Sequence, residues 1–417
     1  MSGVTPPENP GDSLQYGNLR SKWRWACFFL CLSTIAIAQP PPSQTTPAQT
    51  TPVQSNPNEP VLRPRPSPAP GDTDGHIQLD VVVNGKQGSP VSGLDVKDFT
   101  ILDNKKAQSV VSFQAVDGAA RTPASQVEVI LLLDLVNATF EQSSVTQQQM
   151  VKFLQQNDGH LPYATSIAIF SDQGVRIQPT GSTDGNRLAA QLNATVRLVG
   201  PRPVLAGEVK RFQSSLFTLL SIAENKTKTP SRKVLIWSGP GWPTLVGSNY
   251  LSSIEDRKRF FDAIVEVSTR LRDAHIALYS ISSMNSEKGG AFNIGPAAPL
   301  MPSAEAPQQT RVRPAMNDST DGSNYKDFVK GVKSAQQAGS GELALQVLAV
   351  QSGGRVLDPG NDLAAQMAKC VEDLSNFYRI SFAPARAGHS DEYHDLKVEI
   401  TKPGFTARTN TGFYNQP

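Results

Sequence analysis

The side chains best suited to chemistry in this 417-residue chain lie where apolar runs end. Asp134 closes VILLLD, Asn137 and Thr139 follow it closely, and Ser238 closes KVLIW. All four carry hard oxygens, the donor type Mg²⁺ takes in near-ideal octahedral geometry at about 2.0–2.1 Å. Thr139, however, has Gln142 three positions on, the spacing of a capping box, which commits its hydroxyl to a helix start. A carboxylate just ahead of a helix can accept backbone N–H groups and is favoured there by the helix dipole. Asp134 is therefore read as structural and no cofactor is expected.

Other constellations are weaker. HSDEYHD, residues 389–395, collects His389, Asp391, Glu392, His394 and Asp395, yet the spacing fits no fixed zinc pattern and reads better as a solvated hairpin turn. SGPGW, residues 238–242, sets a serine beside glycine without the G-x-S-x-G elbow of a hydrolase. No Gly-rich phosphate loop follows any strand. Cys370 falls mid-helix as a small apolar filler, and RKVLIW reads as an ordinary strand start. The expectation is a protein without catalytic residues, with a hydrolase of unrecognised site as the rival.

The elements that would position these residues follow from periodicity. VEVILLLD, TSIAIFS, KVLIWSG and HIALYSIS are short apolar runs of the kind buried on both faces of a sheet, separated by helical patterns. Helices are expected from Thr139 to about Asn157, then near 184–195, 209–225, 254–274, 341–352 and 361–375. Residues 126–375 thus read as an α/β domain with a doubly wound, mainly parallel sheet, carrying an inserted loop at 284–340 that is long for a connection. Strand patterns at 76–118 supply only half of a small β-sandwich, and a half-sheet leaves an apolar face wet. The strand patterns of 376–417 are expected to complete it.

Composition bounds the partners. Thirty-nine Lys and Arg against 37 Asp and Glu leave no field to gather nucleic acid. Arg20, Lys22 and Arg24 precede an uncharged run from Trp25 to Ala38 that ends Ala36-Ile-Ala38, the form of a signal peptidase site. Residues 1–38 are read as a signal peptide, or alternatively as an uncleaved anchor, which would be the sole membrane attachment. Residues 39–75 are a Pro/Thr/Gln-rich disordered tether. The protein is expected outside the cytoplasm, in the periplasm, at the cell surface or secreted. Removal of the leader would take Cys27 and Cys31 and leave Cys370 without a disulfide partner.

VVVNGKQGSPVSGLDVKDFTILDNKKAQSVVSF, EVILLLDLVN, LAVQSGGRVLDPGNDLAAQM and FYRISFAP followed by HDLKVEITKPGF occur in this order over residues 77 to about 414. Their order and wording resemble the VWFA-related proteins, an acidobacterial branch of the von Willebrand factor type A superfamily. The resemblance implies a Rossmann-like type A domain, export, no established enzymatic activity and binding to other proteins, often through a divalent ion. The superfamily metal site takes Asp-x-Ser-x-Ser after the first strand, a Thr from a second loop and an Asp after a later strand. Asp134 matches, whereas Val136 and Ala138 replace the serines, Ser238 replaces the second aspartate, and no Gly-Thr pair precedes the helix at 209. A degenerate site on a protein-binding or adhesion module is the expectation, and the alternative the resemblance implies is Mg²⁺ on a non-standard set, Asp134, Asn137, Thr139 and Ser238. The module's partner, a protein or cell-envelope component, would meet the C-terminal ends of the strands, where such folds gather their loops: Asp134, Asn137 and Thr139; Ser171, Asp172 and Gln173; Ser238 and Trp242.

Overall fold

The structure, a computed structural model, describes residues 75–120, 127–199, 207–241, 253–282, 332–338, 345–357, 360–415 and 417. The expected leader, nearly all of the tether, Trp242 and most of the 284–340 insertion lie outside them. The strands are β1 (Ile77–Asn84), β2 (Phe99–Asp103), β3 (Lys106–Gln108), β4 (Val110–Asp117), β5 (Val127–Asp134), β6 (His160–Ser171), β7 (Gly174–Ile177), β8 (Ser182–Asp184), β9 (Arg232–Ser238), β10 (Ile276–Ile281), β11 (Asn376–Phe382), β12 (Glu392–Ile400), β13 (Thr406–Arg408) and β14 (Gly412–Asn415). The α-helices are α1 (Phe140–Leu154), α2 (Gly185–Val199), α3 (Glu208–Lys226), α4 (Ile254–Asp273), α5 (Ala335–Ala338), α6 (Leu345–Gln351) and α7 (Leu363–Glu372).

These strands form three sheets, ordered β13-β1-β11-β4, β10-β9-β5-β6-β7 with β8 also on β6, and β14-β12-β2-β3. This corrects the expected doubly wound, mainly parallel architecture: the sheets are mixed and antiparallel. β10, β9, β5 and β6 run parallel, but β7 and β8 return antiparallel on β6. The two four-stranded sheets are antiparallel throughout. The cause is connection length. After β6 the chain reverses over Asp172-Gln173 with Gly174 at φ 93°, a conformation that suits glycine, and so short a turn can join only antiparallel neighbours. The apolar run of β6 indicates a strand, not the direction of its partner.

Alternation along β5 divides the interior. Val129, Leu131 and Leu133 pack with Met150 and Phe153 of α1 and Met367 and Cys370 of α7. Ile130 and Leu132 pack on the other face with Phe212 and Leu216 of α3, Ile264 of α4 and Trp237 of β9. Each buried methylene contributes about 0.8 kcal/mol, so an eight-residue strand buried on both faces anchors the whole unit. Asp134, two residues beyond Leu132, falls on the α3/α4 side by the same period of two.

The two antiparallel sheets pack face to face around Leu79, Val81, Ile101, Tyr378, Ile380, Leu396, Val398 and Phe413. The chain ends meet there: Ile77 pairs with Phe382, Val82 with Arg408, and Leu396 with Asp103. Val82 and Phe377 lie in the α1/α7 core instead, so β1 is buried on both sides over Val81–Val83. Among the described residues no helix is long and apolar enough to cross a membrane.

Candidate functional site

Asp134 ends β5 and is fully buried. Its Oδ1 accepts the backbone N–H groups of Val136 and Asn137, both at 2.9 Å, and its Oδ2 accepts Asn137 Nδ2 at 2.8 Å and the Trp237 indole at 2.9 Å. Burial pushes the carboxyl up from its ordinary value, against the pull of these donors. The close approach of β9 depends on Gly239, where a Cβ would come 2.9 Å from that of Asp134. Four donors converge on this carboxylate where a metal site would need open lone pairs.

Val136 and Ala138 are buried apolar side chains. Thr139 caps α1, its hydroxyl accepting Gln142 N at 3.2 Å while Thr139 N donates to Gln142 Oε1 at 2.9 Å. Asn137 spends its amide nitrogen on Asp134 and on Ser215 Oγ at 3.0 Å. Ser238 is fully buried, and among the described residues neither its hydroxyl nor the Asn137 amide oxygen has a hydrogen-bond partner. One carboxylate already saturated with N–H donors does not fit Mg²⁺, which needs several converging oxygens.

The remaining predicted residues separate by exposure. Ser171 is buried, its hydroxyl accepting Gln173 N at 3.3 Å, whereas Asp172 and Gln173 are exposed at the tip of the β6–β7 hairpin. A partner arriving at this end would meet Thr139, Asp172 and Gln173, with Asn137 half-buried, and would not reach Asp134, Ser171 or Ser238. Sequence reasoning missed two side chains at this end of the sheet: Phe140 is 68% exposed and Ile254 71%, the first residues of α1 and α4. Because β5 and β9 are parallel, the helices that follow them start at the same end of the sheet. An apolar residue directly after a capping Thr139 or Ser253 was the available signal, since a residue in the first turn need not face the core.

The His/Asp cluster of 389–395 does not converge. His394 is buried with Nδ1 2.8 Å from Asp103 Oδ1, Asp391 takes a turn conformation at φ 58°, and Glu392 accepts Gly388 N. At the opposite end of the central sheet a small cavity brings together Asp80, His275 and Ser352, and His275 Nδ1 lies 3.2 Å from Asp80 Oδ2. The Ser352 hydroxyl donates to Ala349 O at 2.9 Å and accepts Leu278 N at 2.8 Å, so its proton is not directed at the histidine as a nucleophile's would be. Cys370 is buried, and burial pushes its thiol up, away from the reactive thiolate.

No protein-family model and no curated protein matches the chain. Among solved structures it is similar to the pilus adhesin SpaC from Lactobacillus rhamnosus GG, at 9% identity and a TM-score of 0.32, over 78% of this chain and 49% of that one. The chain thus spans about half the length of that adhesin. At such a TM-score the likeness bears on neither fold nor function.

Proposed function

We propose that this chain is an exported, non-enzymatic protein-binding or adhesion module of the VWFA-related kind, which meets a protein or cell-envelope partner at the C-terminal ends of β5, β6 and β9 without a metal. The supporting observation is the exposure of Phe140 and Ile254, the first residues of the helices on either face of the sheet at that end, where Thr139, Asp172 and Gln173 are exposed too. Large apolar anchors within a polar surround are the usual make-up of a contact surface. Asp134 serves this face from beneath: by drawing together the 135–137 turn and the end of β9 it fixes where α1 begins, and so where Thr139 and Phe140 stand. The export reading rests on the leader and tether sequences.

Capture from the native envelope fraction tests the face. The wild-type chain should retain a partner that a Phe140→Ser, Ile254→Ser double variant loses by at least about tenfold, as expected when two anchors near 1 kcal/mol or more are removed. Both side chains are exposed, so the variant should melt within a few degrees of wild type. Equal capture by the two proteins would remove this face from the function, and turnover of any substrate by the purified chain would favour the hydrolase reading instead.

A further inference from the structure

At the N-terminal end of the central strands, opposite the proposed contact face, the chain concentrates cations. β9 opens with Arg232 and Lys233, α4 ends in Arg272-Asp273, and His275 turns the chain into β10 at φ 54°. Sequence alone reads Arg232 and Lys233 as an ordinary strand start, yet both are buried. Lys233 caps three carbonyls, those of Thr229, Ser231 and Ala274, at 2.7, 2.7 and 2.9 Å, and burial pulls its ammonium down to about 8.

The guanidinium groups are short of carboxylates. Arg355 and Arg408 share Asp373, whose backbone carbonyl also accepts Arg232 Nη1 at 3.1 Å. Arg379 pairs with Asp80 at 3.1 Å, and Arg272 with Asp273 at 3.2 Å. Five arginines in linked positions therefore share three carboxylates. Among the described residues two buried guanidinium N–H groups, Arg232 Nε and Arg379 Nη2, have no acceptor, and of the two residues Arg232 lines the small cavity beside Asp80 and His275. An uncompensated charge and an unmade hydrogen bond are both costly away from water.

A cavity of ≈ 20 Å³ lies at this place, lined by Asp80, Arg232, Arg272 and His275 among others. Both Asp80 oxygens are engaged, by Arg379 and by His275, so the cavity's unspent capacity is donor and positive. A volume of roughly 10–15 Å³ holds one water-sized particle, so a monatomic ion fits this cavity. We infer that this cavity is a site for one small monoanion, chloride in an ordinary milieu, held by Arg232, Arg272 and His275. A water molecule would satisfy an N–H group but leave the charge uncompensated; a halide does both.

Thermal melts of the full chain in sodium chloride and in sodium gluconate at equal ionic strength test this, because gluconate is too large to enter. About 150 mM chloride should raise Tm by roughly 2 °C or more over gluconate, as a ligand specific to the folded state does. Arg272→Gln, at a partly exposed position, should keep the fold and lose the difference. Bromide soaked into crystals should give an anomalous peak bounded by Arg232, Arg272 and His275. Equal melting in the two salts, a chloride effect that persists in Arg272→Gln, or no bromide peak at that position would each overturn the site.

Discussion

Replacing Asp373 by alanine is expected to destabilise the protein by about 3–5 kcal/mol, the usual cost of removing one partner from a buried ion pair. Asp373 is 1% exposed. Its Oδ2 accepts the Tyr279 hydroxyl and Arg408 Nη2, both at 2.6 Å, and its Oδ1 accepts Arg355 Nη2 at 3.0 Å. Arg355 also reaches Asn84 Oδ1 at 3.3 Å. The cluster thus ties β10 of the central sheet and the end of α7 to β1 and β13 of the antiparallel part. Without the carboxylate, two largely buried guanidinium groups and a phenol whose ionisation burial already opposes lose their acceptor together. Denaturant unfolding measures the loss, and Asp373→Ala combined with Arg408→Ala gives the control. The double variant should be less damaged than the two singles added, by about 1 kcal/mol or more; strict additivity would mean the pair does not act as a tie.

Asp134→Ala is expected to cost about 2–4 kcal/mol. It leaves Val136 N, Asn137 N, Asn137 Nδ2 and the Trp237 indole without their acceptor, each orphaned buried donor being worth about 1–3 kcal/mol. Relief of the cost of burying the carboxylate offsets part of this sum. Because the role is internal hydrogen bonding, the loss should be the same in EDTA as in millimolar Mg²⁺. A ligand held by the folded state would instead stabilise wild type alone, by RT ln(1 + [L]/Kd). Stability of wild type that rises with Mg²⁺ while the variant stays unchanged would reverse the assignment.

What could be read from the sequence was local. The capping box at Thr139 and Gln142 marks the start of α1, and the apolar period marks α4, expected at 254–274 and found at Ile254–Asp273. The half-sheet left by 76–118 pointed to the chain's other end, and β1 does pair with β11 and β13. What could not be read depends on residues distant in the chain. Strand direction is one case: β7 and β8 are short and half-exposed, so they give no alternation strong enough to announce an antiparallel edge. The Trp237–Asp134 bond spans 103 positions. Arg232 looks like a solvated strand start until Phe377, whose ring lies 4.7 Å below its guanidinium, and Asp373 arrive from the other end of the chain.

The most direct test of a contact face built without a metal is calorimetric titration of Mg²⁺ into the wild-type chain and into Asp134→Ala at neutral pH. With its lone carboxylate spent on four N–H donors, neither protein should give saturable heat up to about 1 mM Mg²⁺, since too few oxygens remain to replace the ion's waters. Micromolar affinity in wild type that vanishes in Asp134→Ala would contradict this and establish a metal-dependent site on Asp134, Asn137, Thr139 and Ser238.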